Sequence, residues 1–174
     1  MKKTQRRRPA SIRTRATNAL LLALLSLVAL PMAGCGGQEE LSEADRAAIR
    51  ETLEAYLPRL AEAYATGNVE VLRPWAAEKE LAIVHKKVQD LMDQENRVIQ
   101  PTLQGFEIED ITPWNYSNAF VTTLETWDIK VLASGTEVVT SEARAQRDRV
   151  KYQLKRREDG WIVLYRQIQQ TLTD

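Results

Sequence analysis

Apolar residues follow two different periods along the chain, and the change falls near Pro101. Before it, from about Glu43 to Asn96, apolar residues recur every three or four positions, which is typical of helices with one buried face. After it, apolar and polar residues alternate, and valine, threonine and aromatic residues become common, as in strands. Helices followed by an antiparallel meander predict one α+β domain.

Three helices are expected in the first part. The first covers about Glu43 to Thr66, with Ser42 as its N-cap, and Gly67 can end it in the left-handed conformation. The third covers about Glu78 to Asn96. Between them a short second helix carries three apolar residues, Val71, Leu72 and Trp75.

Four strands are expected in the second part. The segment Glu158-Asp159-Gly160 suits a three-residue hairpin loop between the last two strands. That loop would pair Leu154 with Leu164 and Arg156 with Ile162. The predicted strands are Leu103 to Ile111, Ala119 to Leu132, Glu142 to Arg157, and Trp161 to Gln170.

The N-terminus has the pattern of a signal peptide. Seven lysines and arginines precede position 16, and an apolar run follows from Ala19 to Leu30, with Ser26 as its one polar residue. At about 1.5 Å per residue, this run covers only about 18 Å of a hydrocarbon core of about 30 Å. It therefore favours the apolar region of a cleavable signal over an uncleaved anchor.

The apolar run leads directly to Cys35, the only cysteine in the chain. The segment Met32-Ala33-Gly34-Cys35-Gly36 resembles the lipobox of bacterial lipoproteins, although Met32 stands where leucine is usual. The resemblance implies cleavage before Cys35 and lipidation of this residue. We therefore expect a signal peptide over residues 1–34, a lipidated tether over 35–41 and one domain over 42–174.

Charge is distributed unevenly between the N-terminus and the remainder. Setting the seven early cations aside leaves 17 lysines and arginines against 24 acidic residues, a net charge of −7. A mildly acidic domain is not expected to bind nucleic acid.

Two segments of the domain carry a family resemblance. Residues 63–72 (AYATGNVEVL) and the closing pair Tyr152-Gln153-Leu154 with Asp159-Gly160-Trp161-Ile162-Val163 resemble the nuclear transport factor 2-like (SnoaL-like) superfamily over about residues 44–170. The resemblance implies a cone-like fold in which the helices pack in a curved four-stranded antiparallel sheet. Catalytic relatives have a short strand where residues 78–96 are expected to be helical, so the resemblance favours the non-catalytic relatives.

Several side chains could line a pocket at the mouth of such a cone. His85 is the only histidine, and its position at the edge of an apolar stripe also suits a surface residue. Alternation places Glu125 on an apolar strand face, and Asp110 and Asp128 are the other strand carboxylates of interest. The pattern contains no catalytic, metal or cofactor constellation. The candidate pocket residues are Tyr64, Trp75, His85, Trp114, Glu125 and Trp127.

The third strand presents a row of cations. Strict alternation puts them on one face, which is usually the solvated face of a strand but could also meet an anionic membrane or an acidic protein. Tyr165 and Trp161 on the next strand are aromatic candidates for the same contact. The cations are Arg147, Arg149, Lys151, Lys155 and Arg157.

These observations together predict an exported, lipid-anchored protein. We expect its domain to be a non-catalytic binding module for a partner in the cell envelope, with a homodimer through the sheet face as a further expectation. The alternative is a small-molecule-binding protein or minor enzyme that uses the cone pocket. Gly36 after the lipidated cysteine favours the periplasmic face of the outer membrane if the cell has two membranes.

Overall fold

The computed structural model describes residues 41–172. Two helices are followed by a four-stranded antiparallel sheet in the order β1-β2-β3-β4. Cys35, the predicted signal peptide and most of the predicted tether lie outside the described residues. The elements are α1 (Glu43–Thr66), a 3₁₀ turn (Val69–Leu72), α2 (Glu78–Gln89), a π-helical turn (Asp90–Gln94), β1 (Arg97–Asn115), β2 (Asn118–Ala133), β3 (Val139–Arg157) and β4 (Gly160–Leu172).

The long helix α1 has the caps expected from its sequence. The Ser42 hydroxyl accepts a hydrogen bond from the backbone N–H of Asp45 at 3.1 Å. At the other end, Gly67 has φ +78° and donates its N–H to the Ala63 carbonyl at 2.9 Å. Between the caps, one face of α1 is buried against the sheet through Ile49, Leu53, Tyr56, Leu57 and Leu60.

Two of the expected helices are shorter than predicted. The second is a single 3₁₀ turn, Val69–Leu72, whose two buried residues fix it to the core. The third ends at Gln89 rather than Asn96 and continues as the turn Asp90–Gln94. Residues 93–96 are polar and exposed, so helical extension there would bury no apolar surface. Among residues 41–172, no helix is both long and apolar enough to cross a membrane.

The sheet is a meander whose strands are longer than predicted, above all β1. This strand contains Pro101 and Pro113, which removes two backbone donors, but β1 lies at the edge of the sheet, where such a loss is tolerated. Interruptions in the pairing register occur in every strand pair, and such bulges bend and twist a sheet. The curved sheet and α1 enclose the core.

The β3–β4 hairpin corrects the predicted register by one residue. Arg157 pairs with Gly160, so the turn has two residues, Glu158 and Asp159, rather than three. Leu154 consequently pairs with Val163 rather than Leu164. Gly160 adopts φ +133°, a conformation that other residues rarely adopt, and this lets the shorter turn close.

Different turns and different ends of α1 lie at the two ends of the domain. The name turn end is used for the end that carries the start of α1, the β1–β2 turn and the β3–β4 turn. The end with the β2–β3 turn and the last turns of α1 is called the open end.

Candidate functional site

A buried carboxylate, Glu125, lies at the centre of the domain between α1 and the sheet. It is fully inaccessible, on the face of β2 that alternation predicts. Its Oε1 accepts hydrogen bonds from the Thr123 hydroxyl at 3.0 Å and from the Tyr152 hydroxyl. Its Oε2 accepts from Trp127 Nε1 and Arg166 Nη2, both at 2.9 Å. All the hydrogen-bonding directions of this carboxylate are thus occupied.

Arg166 connects Glu125 to a second buried carboxylate, Glu80 of α2. The Arg166 side chain donates from Nε to the Tyr152 hydroxyl at 3.1 Å, and its backbone N–H donates to Glu80 Oε2 at 3.1 Å. The other Glu80 oxygen accepts from the Tyr56 hydroxyl at 2.7 Å. These contacts link α1, α2, β2, β3 and β4 in one network, which we call the polar cluster: Tyr56, Glu80, Thr123, Glu125, Trp127, Tyr152 and Arg166.

Burial and charge shift the titration of these groups. Burial raises the pKa of Glu80, against the opposing effect of its hydrogen bonds from Tyr56 and Arg166. It also raises the pKa values of the Tyr56 and Tyr152 hydroxyls, with the neighbouring carboxylates adding to the effect. Burial alone would lower the pKa of Arg166, but Tyr152 and Glu125 beside it outweigh this and keep the guanidinium charged. The tyrosines are therefore hydroxyl donors and Arg166 is a permanent cation.

An apolar cleft of about 200 Å³ lies at the open end, directly over the polar cluster. Leu60, Ala61 and Tyr64 of α1 form one wall, and Lys87 of α2 stands at its rim. The strands supply the remaining lining, Ile99, Pro101, Trp127, Ile129, Gln146, Asp148, Arg166 and Ile168. The cleft therefore combines an apolar lining with a few polar groups, the usual composition of a binding site.

Three polar side chains meet in this cleft. Asp148, almost wholly buried, accepts hydrogen bonds from Gln146 Nε2 at 3.0 Å and from the Thr171 hydroxyl at 2.7 Å. Arg166 uses Nε and Nη2 within the polar cluster, and its Nη1 donates to no described residue. Because no buried side-chain nitrogen or oxygen in residues 41–172 lacks a partner, this Nη1 is accessible from the cleft.

Only some of the predicted pocket residues come together. Tyr64 and Trp127 line the cleft, and Glu125 lies beneath it. His85 is exposed on α2 and does not line the cleft, because it follows Val84 on the solvent side of the helix. Trp114 is also misplaced, since 59% of it is exposed and it stacks on Phe120 on the sheet face away from α1.

Trp75 and Trp161 lie together at the turn end, away from the cleft. They border a depression of about 440 Å³ whose rim carries the charged residues Glu51, Arg157 and Asp159. The prediction of Trp161 as an exposed contact is wrong. Only 4% of this residue is accessible, because it packs beneath α1, where its carbonyl accepts from the Thr52 hydroxyl at 3.2 Å.

The cationic row of β3 is partly neutralised. Arg149 forms two hydrogen bonds to Glu109, of 2.8 and 2.9 Å, and Arg157 is 3.3 Å from Asp159. Arg147 is half-buried. Tyr165, the aromatic residue predicted beside the row, is also half-buried, and Lys79 of α2 lies 4.9 Å above its ring. Lys151 and Lys155 remain at the turn end of the row. The row is therefore not one continuous cationic ridge.

Other strand carboxylates have structural partners. Asp128 accepts from the backbone N–H of Ala145 at 2.8 Å and from Gln104 Nε2 at 2.9 Å, and Asp110 accepts from the Thr112 hydroxyl at 2.5 Å. Within residues 41–172, no group of three or more histidine, cysteine or carboxylate side chains is placed to hold a metal ion.

Sequence reasoning missed the partners of Glu125. Arg166 and Tyr152 pair across β3 and β4, as they also do in the predicted register, but a pairing alone does not show that the two side chains are buried beside Glu125. Glu80 was missed because a carboxylate in the first turn of a helix usually faces solvent. The available signal was the alternation of β3, which puts Asp148 and Tyr152 on the same face as Val150 and Leu154.

Comparison with known proteins gives information on the fold. No protein-family model matches the chain, and no curated protein matches it in sequence. Among solved structures, it is similar to the intermembrane space region of the chloroplast protein ARC6, with a TM-score of 0.59 and 13% identity over 74% of this chain and 97% of that one.

Weaker similarity extends to two cystatin-like fold proteins from Nostoc punctiforme. One has a TM-score of 0.42 at 16% identity, covering 72% of this chain and 76% of its own. The other has a TM-score of 0.45 at 17% identity, covering 74% of this chain and 92% of its own. At such identities a likeness bears on the fold alone. The chain has the α+β, cone-like, nuclear transport factor 2-like fold class that its sequence predicts.

Proposed function

We propose that this chain is a membrane-tethered lipoprotein whose domain is a non-catalytic binding module for a cell-envelope partner. The observation that carries this proposal is the apolar cleft at the open end, which is accessible to solvent and has a rigid polar floor. An apolar side chain of a partner would fill the cleft, and acceptor groups beside it would meet Arg166 Nη1. The cleft, at about 200 Å³, is smaller than the roughly 300 Å³ at which pockets for drug-sized ligands begin.

The state of Glu125 supports a non-catalytic role. A general base must reach the proton that it removes, with a lone pair free to accept it. Glu125 is inaccessible and already accepts hydrogen bonds from four side chains. A network of this kind fixes the geometry of a cleft floor.

The lipoprotein part of the proposal rests on the sequence around Cys35. A chain with Cys35→Ser should remain uncleaved, take up no labelled palmitate and lose the membrane attachment that acyl chains provide. Equal palmitate incorporation by the Cys35→Ser and unchanged chains would overturn this part. Localisation to the outer membrane, in a cell that has two, is proposed on the basis of Gly36.

The binding part can be tested with a photo-crosslinking amino acid at the cleft rim. Lys87 and His85 are both exposed on α2, but only Lys87 lines the cleft. A benzophenone side chain at position 87 should give one discrete adduct in intact cells after irradiation, and the same group at position 85 should not. Equal adduct patterns from the two positions, or none from position 87, would contradict the proposal.

A second candidate is the binding of a small amphipathic molecule in the same cleft. It is favoured by the convergence of Arg166, Asp148 and Gln146, which could orient a polar head while an apolar body lies against Trp127. The crosslinking experiment separates the candidates, because a protein adduct retards the band on a gel. A small-molecule adduct changes only the intact mass.

A further inference from the structure

Exposed aromatic side chains are concentrated at the β1–β2 turn. Trp114 is 59% exposed and Tyr116 is 72% exposed. Trp114 stacks on Phe120 with ring centroids 5.6 Å apart and an interplanar angle of 23°. This stacking holds the indole on the sheet face away from the core, so its exposure is a fixed feature of the fold.

Two lysines of β3 lie beside these rings. The Lys151 ammonium is 4.5 Å above the centre of the Phe120 ring, and Lys155 pairs across the sheet with Asn118, next to the turn. In residues 41–172, neither lysine forms an ion pair with a carboxylate. Trp114, Tyr116, Phe120, Lys151 and Lys155 together form a surface that we call the aromatic turn patch.

The start of the described chain lies at the same end of the domain. Asp45, in the first turn of α1, forms an ion pair with the Arg156 guanidinium. The backbone N–H of Arg156 donates to the carbonyl of Ser117 in the β1–β2 turn at 2.8 Å. The beginning of α1 is thus connected to the aromatic turn patch through one residue.

The length of the tether restricts which end of the domain can reach the bilayer. Six residues separate Cys35 from Ser42. At about 3.3 to 3.6 Å per extended residue, they span at most about 20 Å. Tyr64, in the cleft wall, lies 22 residues beyond Ser42 on α1, about 33 Å along the helix axis at about 1.5 Å per residue. A lipid on Cys35 therefore keeps the turn end within about 20 Å of the bilayer, whereas the cleft wall begins about 33 Å farther along α1.

We propose that the aromatic turn patch rests on the bilayer interface and that this orients the cleft away from the membrane. The inference rests on the proposed lipidation of Cys35. Tryptophan and tyrosine combine an apolar ring with a polar group and are favoured where hydrocarbon meets water. Lysines there extend apolar stems and keep their charge among anionic headgroups. The aromatic turn patch combines exposed rings with lysines at the end of the domain where the described chain begins, and this combination fits the surface of an anionic bilayer.

Fluorescence quenching by the bilayer tests the orientation. The mature, lipidated chain is reconstituted into vesicles of phosphatidylethanolamine and phosphatidylglycerol, with or without bromine atoms on the acyl chains. Trp114 should lose emission in the brominated vesicles, because bromine quenches only indoles that it contacts. All chains in this experiment carry Trp75→Phe, because Trp75 is half-buried at the turn end. In this background Trp114→Phe should abolish the loss, since Trp127 and Trp161 are buried.

A matched control places an indole at the opposite end. Val138 is 62% exposed in the β2–β3 turn, so Val138→Trp in the Trp114→Phe background offers a similar exposed indole at the open end. This double variant should show no loss of emission. Quenching of the indole at position 138 equal to that of Trp114, or no quenching at either position, would overturn the orientation while leaving the lipoprotein proposal standing. Failure of the mature chain to float with the vesicles would overturn both.

Discussion

At the scale of single residues, the ion pair between Arg166 and Glu125 holds the cleft floor. The Arg166 side chain is 14% exposed and that of Glu125 is inaccessible, so each charge depends on the other for compensation. Such a pair contributes little net stability compared with an apolar pair, but removing one partner leaves a buried charge. Replacing either residue alone is therefore expected to destabilise the fold more than replacing both with apolar residues.

The first prediction concerns this pair. Arg166→Met should lower the free energy of unfolding by about 3 to 5 kcal/mol, because Glu125 is left buried without its cation. The double variant Glu125→Leu with Arg166→Met should recover part of the loss, which urea unfolding measures as a positive coupling. Additive losses in the two single variants would contradict this account of the cluster.

The second prediction concerns pH. Because burial raises the pKa of Glu80 above the value of 4.5 for a free side chain, the folded state keeps its proton to higher pH than the unfolded state. The stabilisation by this proton is complete below the unfolded pKa and is lost as the pH rises through the folded pKa. Glu80→Gln cannot titrate, so this variant should gain stability relative to the natural chain between acid and neutral pH. A difference that stays constant with pH, measured by urea unfolding, would refute this.

The sequence predicts Glu125 but not the residues that hold it. Alternation along β2 is regular from Ala119 to Trp127, so its inward face can be identified without the structure. On β4 the alternation is broken at Leu164, where the register shifts, so Val163 and Arg166 both face inward although three positions separate them. A bulge exchanges the inward and outward faces for every residue beyond it. The residue types around Leu164 do not indicate that a bulge lies there.

At the scale of elements, the bulges give the sheet its curvature. Between β2 and β3, the pairing shifts at Asp128, whose carboxylate accepts the backbone N–H of Ala145 at 2.8 Å. Ala145 has φ +51°, a left-handed conformation that is unfavourable for a side chain bearing a Cβ atom. This conformation is maintained by the bulge and its Asp128 bond.

The third prediction follows from that conformation. Ala145→Gly should raise the free energy of unfolding by about 0.5 to 1 kcal/mol, because glycine removes the steric cost of positive φ. Ala143→Gly, at a neighbouring strand position without positive φ, should instead lower it by a similar amount. Thermal unfolding of the two variants checks both signs, and destabilisation by both would mean that Ala145 is not strained.

Helix ends were less predictable than strand faces. The caps of α1, Ser42 and Gly67, were identified from residue type because each provides a specific hydrogen bond or backbone angle. The end of α2 at Gln89 has no such residue, and its C-cap Asp90 is itself helical. The π-helical turn that follows buries Leu91, a contact with the rest of the domain that no capping residue marks in the sequence.

At the scale of the whole molecule, the two ends of the domain carry different surfaces. The turn end carries the start of α1 and the aromatic turn patch, and the open end carries the cleft. In the proposed orientation, the aromatic turn patch lies at the bilayer and the cleft faces away from it. The fold class was accessible from sequence, but this polarity was not, because the sequence pattern predicts Trp114 and Trp127 in the same pocket, whereas Trp114 is exposed at the turn end and Trp127 lines the cleft.

The most direct test of the account is whether filling the cleft abolishes the crosslink formed at position 87. Ala61 and Ala65 are both half-buried on α1, but only Ala61 lines the cleft. With the benzophenone group at position 87, Ala61→Leu should reduce the adduct yield in intact cells about tenfold, equivalent to about 1.4 kcal/mol of lost binding. Ala65→Leu should leave the yield unchanged. Equal yields from the two variants would contradict the assignment of the cleft as the binding site.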